Sequence, residues 1–249
     1  MGVVAAVPRG TESTGGVAMN GRIAIVTGGT GALGQAVTRR FLGGGATVCI
    51  PYVVPEELEA LRASLKPEEL ARLHVVKADI TDEAAFQEFV RGVVAVHRRV
   101  DILINGVGGF QGGDLASTSL VRWNQMIALN LTSAVIGCRG VIPAMTAARY
   151  GRIVNISSRA VVPPMGGFTA YTVAKAAVLT LTQAVAQEVM ASGITVNAVL
   201  PSTMDTTANR KAMPDADRSQ WVQPDAVAAV IAFLASEAAG AVSGAGVAV

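Results

Sequence analysis

The sequence predicts a single α/β domain built on a doubly wound parallel sheet with helices on both faces. Short, continuously apolar runs alternate with longer amphipathic segments from residue 19 to the end of the chain. Parallel strands buried on both faces and joined by crossover helices have this pattern. The chain has 249 residues, of which 51% are hydrophobic, enough for one substantial core. No repeat or linker divides it after Met19.

The elements follow from apolar runs, proline positions and helical spacing. Strands are predicted, in chain order, at residues 23–26, 46–50, 74–77, 101–104, 152–156, 194–199 and 246–249. Helices are predicted at residues 33–42, from residue 55, and at 82–97, 120–149, 170–191 and 224–234. Pro55 suits a helix start because proline is tolerated in the first turn, and Pro143 predicts a bend in the long fourth helix. Residues 1–18 have no period and are expected to form a flexible leader, with the domain spanning residues 19–249.

Composition argues against several function classes. The net charge is +2 and charged residues make up 15% of the chain, so no nucleic-acid footprint is expected. No run of about 18 apolar residues is free of glycine, proline or charge, so no membrane partner is expected. Cys49 and Cys138 lack a ligand spacing, and His74 and His97 are far apart in the chain, so neither a disulfide nor a metal site is expected. Reduced thiols and the lack of a signal peptide favour a cytoplasmic protein.

A glycine-rich segment lies between the first strand and the first helix and reads Thr-Gly-Gly-Thr-Gly-Ala-Leu-Gly over residues 27–34. A helix start offers free N–H groups and a positive dipole end to a pyrophosphate, and glycines let the phosphate approach the backbone. The alternative is an ordinary glycine turn. The predicted cofactor contacts here are Gly28, Thr30, Gly31, Ala32, Leu33 and Gly34.

Residues after later strands are predicted to meet the same cofactor, because ligands of such sheets lie beyond the carboxyl ends of the strands. Asp79 follows the third strand and suits an adenine amine, although a turn or cap aspartate explains it equally well. The further predicted contacts are Ile80, Asn105, Gly106, Pro201 and Thr203.

A tyrosine and a lysine four residues apart provide a candidate acid/base group. Tyr171 and Lys175 are expected on one helix face, where the ammonium would lower the pKa of the phenol. Ser158, after the fifth strand, is expected to donate a hydrogen bond to a substrate oxygen. Asn130 is a polar residue in an apolar helix and is a candidate anchor for a water chain from Lys175 to solvent. Each residue taken alone has an ordinary structural explanation.

Together these residues resemble the short-chain dehydrogenase/reductase family over nearly all of residues 19–249. The resemblance rests on the glycine segment, Asp79, Asn105, Trp123 with Asn130, the run at residues 153–158, and Tyr-Thr-Val-Ala-Lys at residues 171–175. It implies a Rossmann-like fold and Ser158, Tyr171, Lys175 and Asn130 as catalytic residues, with Tyr171 and Lys175 also contacting the cofactor. It further implies a homo-oligomer, a tetramer or a dimer.

The chain departs from the family pattern at several positions. Gly106 replaces the usual second asparagine, and Ser202 replaces a glycine. The even spacing of Gly28, Gly31 and Gly34 in the glycine-rich segment also fits longer epimerase and dehydratase relatives. The predicted cofactor is NAD(P), and the lack of an acid directly after the second strand favours NADP(H) over NAD(H). Arg22 and Arg39 are weak candidates for binding a 2′-phosphate.

The leading functional prediction is hydride transfer between NAD(P) and a small carbonyl or alcohol, with Tyr171 as general acid/base. The alternatives are an epimerase or dehydratase on the same fold, and a nucleotide-binding sensor or scaffold without catalysis. A substrate pocket is predicted from residues 109–113, 161–168 and 202–221, with an apolar wall at residues 161–168 and a polar lid at residues 209–218. Arg210 or Lys211 is a candidate contact for an acidic substrate, beside the simpler explanation of a solvated loop.

Overall fold

The computed structural model describes residues 17–249, so the predicted leader lies almost wholly outside the described residues. The described chain contains one seven-stranded sheet in the order β3-β2-β1-β4-β5-β6-β7. Its strands are β1 Ile23–Thr27, β2 Thr47–Tyr52, β3 Leu73–Lys77, β4 Ile102–Asn105, β5 Gly151–Ile156, β6 Ile194–Leu200 and β7 Gly246–Ala248. Every neighbouring pair is parallel, as predicted. The strand order reverses direction between β1 and β4, which makes a crevice at their carboxyl ends.

The helices join these strands as crossovers. They are α1 Ala32–Gly43, α2 Pro55–Ala63, α3 Pro67–Leu70, α4 Glu83–His97, α5 Leu120–Ile127, α6 Ser133–Ala148, α7 Thr169–Val189, α8 Thr207–Ala212 and α9 Pro224–Leu234. The short helices α3 and α8 were not predicted, because four to six residues are too few to show a helical period.

The long fourth helix of the sequence prediction is two helices joined by a π-helical turn at Ala128–Thr132. Helix α6 then continues through Pro143 without ending there. The interruption therefore lies more than ten residues before the proline that was expected to cause it.

The sheet separates two apolar clusters. Ala24 and Val26 of β1 point to the cluster under α1 and α9. Ile23 and Ile25 point to the other cluster, which includes residues of α4, α6 and α7. This alternation buries β1 on both faces, as expected for a central parallel strand.

Residues Leu120–Ala148, taken as one helical stretch, are long and apolar enough to cross a membrane by length and composition. Its most apolar window of 18 residues has a mean hydropathy of 1.4, and 44% of that window is buried within the fold. A core helix of a folded domain meets the same criteria, and α6 packs here against α4 and the sheet.

Candidate functional site

The glycine-rich turn packs tightly against the first helix and the loop after β4. Gly28 has a φ of +65°, and a Cβ there would lie 2.9 Å from the Gly106 carbonyl oxygen. A Cβ on Gly34 would lie 1.9 Å from the Gly28 carbonyl oxygen. The Gly106 N–H donates to Thr27 Oγ1 over 3.1 Å. These contacts bring the ends of β1 and β4 together at one edge of the sheet.

The start of α1 fits a bound phosphate. Its N-cap, Gly31, makes no side-chain cap, and the first turn contains no acid. A Cβ on Gly31 would meet only the Gly28 carbonyl oxygen at an ordinary 3.5 Å, so packing within the chain does not require glycine there. A ligand passing close over the backbone would require it. Ala32 is exposed beside this point, whereas Leu33 packs partly against the core.

The other predicted cofactor residues take different positions. Asp79 Oδ1 accepts hydrogen bonds from the Thr81 amide over 2.8 Å and the Thr81 hydroxyl over 2.7 Å, as in the turn explanation. Ile80 is buried in the core, so only its backbone faces outward. Pro201 is buried and accepts a hydrogen bond from the Arg159 amide, and Thr203 is exposed.

Asn105 points under the sheet rather than into the crevice. Its Nδ2 donates to Asn155 Oδ1 over 2.8 Å, and Asn155 in turn donates to Thr182 Oγ1 over 2.9 Å. The Oδ1 atom of Asn105 is buried without a hydrogen-bond partner. Its side chain therefore holds β4, β5 and α7 together, and only its backbone borders the cofactor crevice.

Ser158, Tyr171 and Lys175 meet where β5 ends and α7 begins. Ser158 follows β5, and its Oγ accepts a hydrogen bond from the Ala160 amide over 3.2 Å. Tyr171 is half-buried in the first turn of α7, within hydrogen-bonding reach of Ser158. One turn later, Lys175 is 5% exposed, with its Nζ 5.9 Å from the centroid of the Tyr171 ring.

Lys175 is held by the backbone of β5. Its Nζ donates to the Ile156 carbonyl over 2.8 Å, and its own carbonyl accepts from Ser157 Oγ over 2.7 Å. Burial lowers the pKa of Lys175 from 10.5 to about 8. The ammonium is therefore close to losing its proton near neutral pH.

The pKa of Tyr171 differs from the sequence prediction. Burial raises the pKa of the phenol, and a hydrogen bond with Ser158 lowers it by a smaller amount. The expected lowering by Lys175 is not found, because the ammonium turns toward Ile156 and its own pKa is reduced by burial. The groups of the chain itself therefore keep Tyr171 protonated.

Asn130 lies in the π turn and clamps the loop after β4. Its Oδ1 accepts from the Gly109 amide over 3.1 Å, and its Nδ2 donates to the Gly109 and Met126 carbonyls over 3.0 and 3.1 Å. A Cβ on Gly108 would lie 2.8 Å from Asn130 Oδ1 and 3.0 Å from Lys175 Nζ. The structure thus brings Asn130 beside Lys175. Both amide protons are already used, so only its Oδ1 could accept a hydrogen bond from a relay water.

Two aromatic rings flank the Tyr171 phenol. The Phe110 ring centroid lies 5.1 Å from that of Tyr171 and 5.4 Å from that of Phe168, which is itself 6.1 Å from Tyr171. The Gly113 amide donates to the Gly167 carbonyl over 2.8 Å, and this bond ties the two loops that carry the phenylalanines. Phe110 is 64% exposed, so an apolar ring face is open to a ligand.

The predicted lid is joined by an ion pair to the segment that precedes it. Arg210, in α8, binds Asp205 through two side-chain nitrogens at 2.5 and 2.7 Å. Gln223 also donates to Asp205 over 3.0 Å. Arg210 is therefore engaged by Asp205, which precedes the lid, rather than free for an acidic substrate.

His74 and His97, distant in the chain, are neighbours in the fold. Their rings meet edge to face with centroids 4.8 Å apart. Burial and the charge of His74 lower the pKa of His97. Residues 17–249 contain no group of three or more histidine, cysteine, aspartate or glutamate side chains placed to hold a metal ion.

Sequence reasoning did not single out several residues of the site. Ser157 positions Lys175, and the serine doublet was its only signal. Glu57 accepts a hydrogen bond from Thr30 over 2.9 Å, and nothing in its local sequence indicates that contact. Phe110 lies in the predicted pocket segment 109–113, but nothing in the sequence indicated its contact with Tyr171.

The chain is similar in sequence and in fold to enzymes of one family. Residues 22–217 match the family described as short chain dehydrogenase. The crystal structure of levodione reductase superimposes with a TM-score of 0.84 at 25% sequence identity, covering 92% of this chain and 96% of that one.

Curated relatives cover most of the chain as well. The 2,5-dichloro-2,5-cyclohexadiene-1,4-diol dehydrogenase of Sphingobium indicum is 30% identical over 232 residues, which are 90% of this chain and 92% of the relative. The D-threitol dehydrogenase of Mycolicibacterium smegmatis is 30% identical over 236 residues, which are 91% of this chain and 90% of the relative.

Proposed function

Because the chain belongs to the short-chain dehydrogenase family of oxidoreductases, we propose that it interconverts an alcohol and a carbonyl compound, with NAD(P) as hydride carrier. The observation that carries this proposal is the meeting of Ser158, Tyr171 and Lys175 at the same edge of the parallel sheet as the uncapped start of α1. We call the glycine-rich turn at residues 27–34 the phosphate cradle. A protein that only bound a nucleotide would have no use for a buried acid/base group at the same edge of the sheet as this cradle.

The chain holds and orients both reactants. The uncapped N–H groups of α1 and the backbone over Gly28 and Gly31 would hold the pyrophosphate. Lys175 has three N–H donors, and since one binds Ile156, two remain for ribose hydroxyls. When bound, the nicotinamide supplies or accepts the hydride.

Proton movement falls to the side chains of α7 and β5. In reduction, Tyr171 Oη gives its proton to the carbonyl oxygen while Ser158 donates a hydrogen bond to the developing alkoxide. Burial favours this direction because it keeps the phenol protonated. Lys175, whose pKa is about 8, is suited to return the proton to Tyr171.

The substrate is proposed to be uncharged and to present an apolar or cyclic face. Phe110 and Phe168 border Tyr171, and Arg210 is engaged by Asp205. A ring or alkyl face packs well on the edges and faces of such aromatic side chains. The relative from Sphingobium indicum is named for a cyclohexadienediol, which is a ring compound, whereas the D-threitol of the other curated relative is acyclic.

Replacement of Tyr171 with Phe tests the chemistry. It keeps the ring packing with Phe110 and removes the proton, so kcat is expected to fall by about 10²–10⁴-fold. Binding of the reduced dinucleotide, followed by nicotinamide fluorescence, is expected to stay within about twofold of wild type. Unchanged turnover would refute the mechanism. Turnover with no net oxidation or reduction of the nicotinamide would favour the epimerase or dehydratase alternative.

Phe110→Ala tests the substrate class. For cyclic or aryl ketones kcat/KM is expected to fall about tenfold, while a short acyclic ketone is nearly unaffected. Phe233→Ala is the matched control, since Phe233 is 46% exposed on α9 and has no ring contact with Tyr171. Equal losses for cyclic and acyclic substrates would exclude the aromatic wall as a specificity element.

We also propose that the protein forms a homo-oligomer, a dimer or tetramer, through the outer faces of α5 and α7. Leu120 and Val121 are 78% and 68% exposed at the start of α5, and Val173 is 40% exposed on α7. An apolar helical surface of this kind suits a symmetric helix–helix contact with a second copy. Light scattering that gives the mass of a single chain would refute this.

A further inference from the structure

A carboxylate from the second βα unit reaches the glycine-rich turn of the first. Glu57 lies in the first turn of α2, and its Oε2 accepts a hydrogen bond from Thr30 Oγ1 over 2.9 Å. Thr30 lies between Gly28 and Gly31 and is 5% exposed. The contact therefore bridges the gap between the carboxyl ends of β1 and β2, which are neighbours in the sheet.

In a sheet of this kind the adenosine ribose extends from the phosphate cradle toward the end of β2. An acidic residue about 20 residues beyond the glycine signature binds its hydroxyls in NAD-dependent proteins. Tyr52, Val53 and Val54 end this strand without a charge. Glu57 comes 23 residues after Gly34 and reaches the cradle from the helix that follows.

Resting on the proposed function, we infer that Glu57 selects the dinucleotide and makes NAD(H) the preferred cofactor. Its Oε2 is oriented by Thr30, and its Oε1 is free to accept a hydrogen bond from a ribose hydroxyl. The same negative charge repels a 2′-phosphate at this position. The sequence favoured NADP(H) because no acid directly follows β2. In the folded chain, Glu57 of α2 provides a carboxylate near this position.

The sequence offered two cations for a 2′-phosphate, Arg22 and Arg39. Arg39 comes seven residues after the first residue of α1, about 10 Å along the helix from the end proposed to bind the pyrophosphate. Arg22 precedes β1 at the opposite edge of the sheet, where it pairs with Asp101 and Glu237. Arg62, on α2 itself, pairs with Glu59 over 2.9 Å. Glu56 adds a second carboxylate to the first turn of α2. The electrostatics of this corner thus disfavour an additional phosphate.

The test is a fluorescence titration of the whole protein with NADH and with NADPH, for wild type, Glu57→Gln and Glu56→Gln. Wild type is expected to bind NADH more tightly. Glu57→Gln is expected to move the ratio of the two Kd values at least about tenfold toward NADPH. Glu56→Gln removes the same charge from the same turn without a contact to Thr30, and is expected to leave that ratio within about twofold. Both glutamates are exposed, so both variants are expected to fold.

The outcomes separate this inference from the proposed function. A wild-type preference for NADPH, or an equal shift from both variants, overturns the role of Glu57 and leaves the hydride chemistry intact. Failure of wild type to bind either nucleotide overturns the inference and the proposed function together. A shift confined to Glu57→Gln supports both.

Discussion

At the residue scale, Lys175 is the ionisable group whose burial matters most to the proposed chemistry. It is 5% exposed, and its pKa is lowered from 10.5 to about 8 because the ammonium loses its hydration. Between those pH values the unfolded chain binds more protons than the native one, so the free energy of unfolding rises with pH. Below the folded pKa the native state bears the whole cost of a buried cation.

Replacement of Lys175 with Met removes this linkage. Relative to the variant, wild type is expected to gain up to about 3 kcal/mol in free energy of unfolding as pH rises from 8 to 10.5. Urea unfolding at several pH values measures the difference, and comparison with the variant cancels titrations common to both proteins. Lys77→Met removes an exposed lysine and is expected to show little pH-dependent difference. Parallel stability curves for wild type and Lys175→Met would contradict the buried-ammonium assignment.

The residues of the site could be predicted where their signal is local. Tyr171 and Lys175 share a helix face by spacing alone, and Gly28 and Gly34 follow a strand directly. Glu57 could not be predicted, because its contact with Thr30 depends on the adjacency of β1 and β2 and on the side-chain direction at the start of α2. The direction of the Tyr171 pKa shift also required burial, which no spacing reveals.

At the scale of elements, the alternation of strands and helices was predictable because the five inner strands, β1, β2, β4, β5 and β6, are buried on both faces and each long helix has a period. The π turn at Ala128–Thr132 was not. Its register is stabilised by a tertiary contact, the clamp between Asn130 and Gly109, and not by a local propensity. Such π-helical turns are frequent at functional sites, which agrees with the position of Asn130 beside Lys175.

The proline of α6 provides a test at this scale. Helix α6 continues through Pro143, which cannot donate to the Arg139 carbonyl. Pro143→Ala is expected to raise the free energy of unfolding by about 1–3 kcal/mol and to leave kcat unchanged. Thermal or urea unfolding measures this change.

A second proline serves as the control with the opposite sign. Pro67 is at the first position of α3, where the missing N–H is not needed. Pro67→Ala is expected to lower stability by up to about 1 kcal/mol, because the unfolded chain gains freedom. A loss of stability in Pro143→Ala comparable to that of Pro67→Ala would mean that α6 depends on the shape that its proline imposes.

At the scale of the whole molecule, the two edges of the sheet have different roles. The glycine-rich turn, the loop after β4 and the proposed catalytic residues all lie beyond the carboxyl ends of strands. At the opposite edge, Asp101 is 1% exposed and its Oδ2 accepts a hydrogen bond from the Ile23 amide over 2.8 Å. Its Oδ1 pairs with Arg22 and Arg99. This carboxylate joins the starts of β1 and β4 and stabilises the fold without touching the site.

Asp101→Asn should therefore separate stability from activity. The amide keeps the shape but leaves Arg99 without its anion and Arg22 with Glu237 as its remaining anion, so the free energy of unfolding is expected to fall by about 2–3 kcal/mol, discounted because both arginines are partly exposed. Activity per folded molecule and the Kd of the dinucleotide are expected to match wild type, since the active crevice lies at the other edge. Asp225→Asn, an exposed acid in the first turn of α9, is expected to change stability by less than about 1 kcal/mol. Urea unfolding measures the change in stability, and kcat is measured at urea concentrations well below the unfolding transition. A large loss of kcat with stability preserved would contradict this separation and show that the two edges of the sheet are coupled.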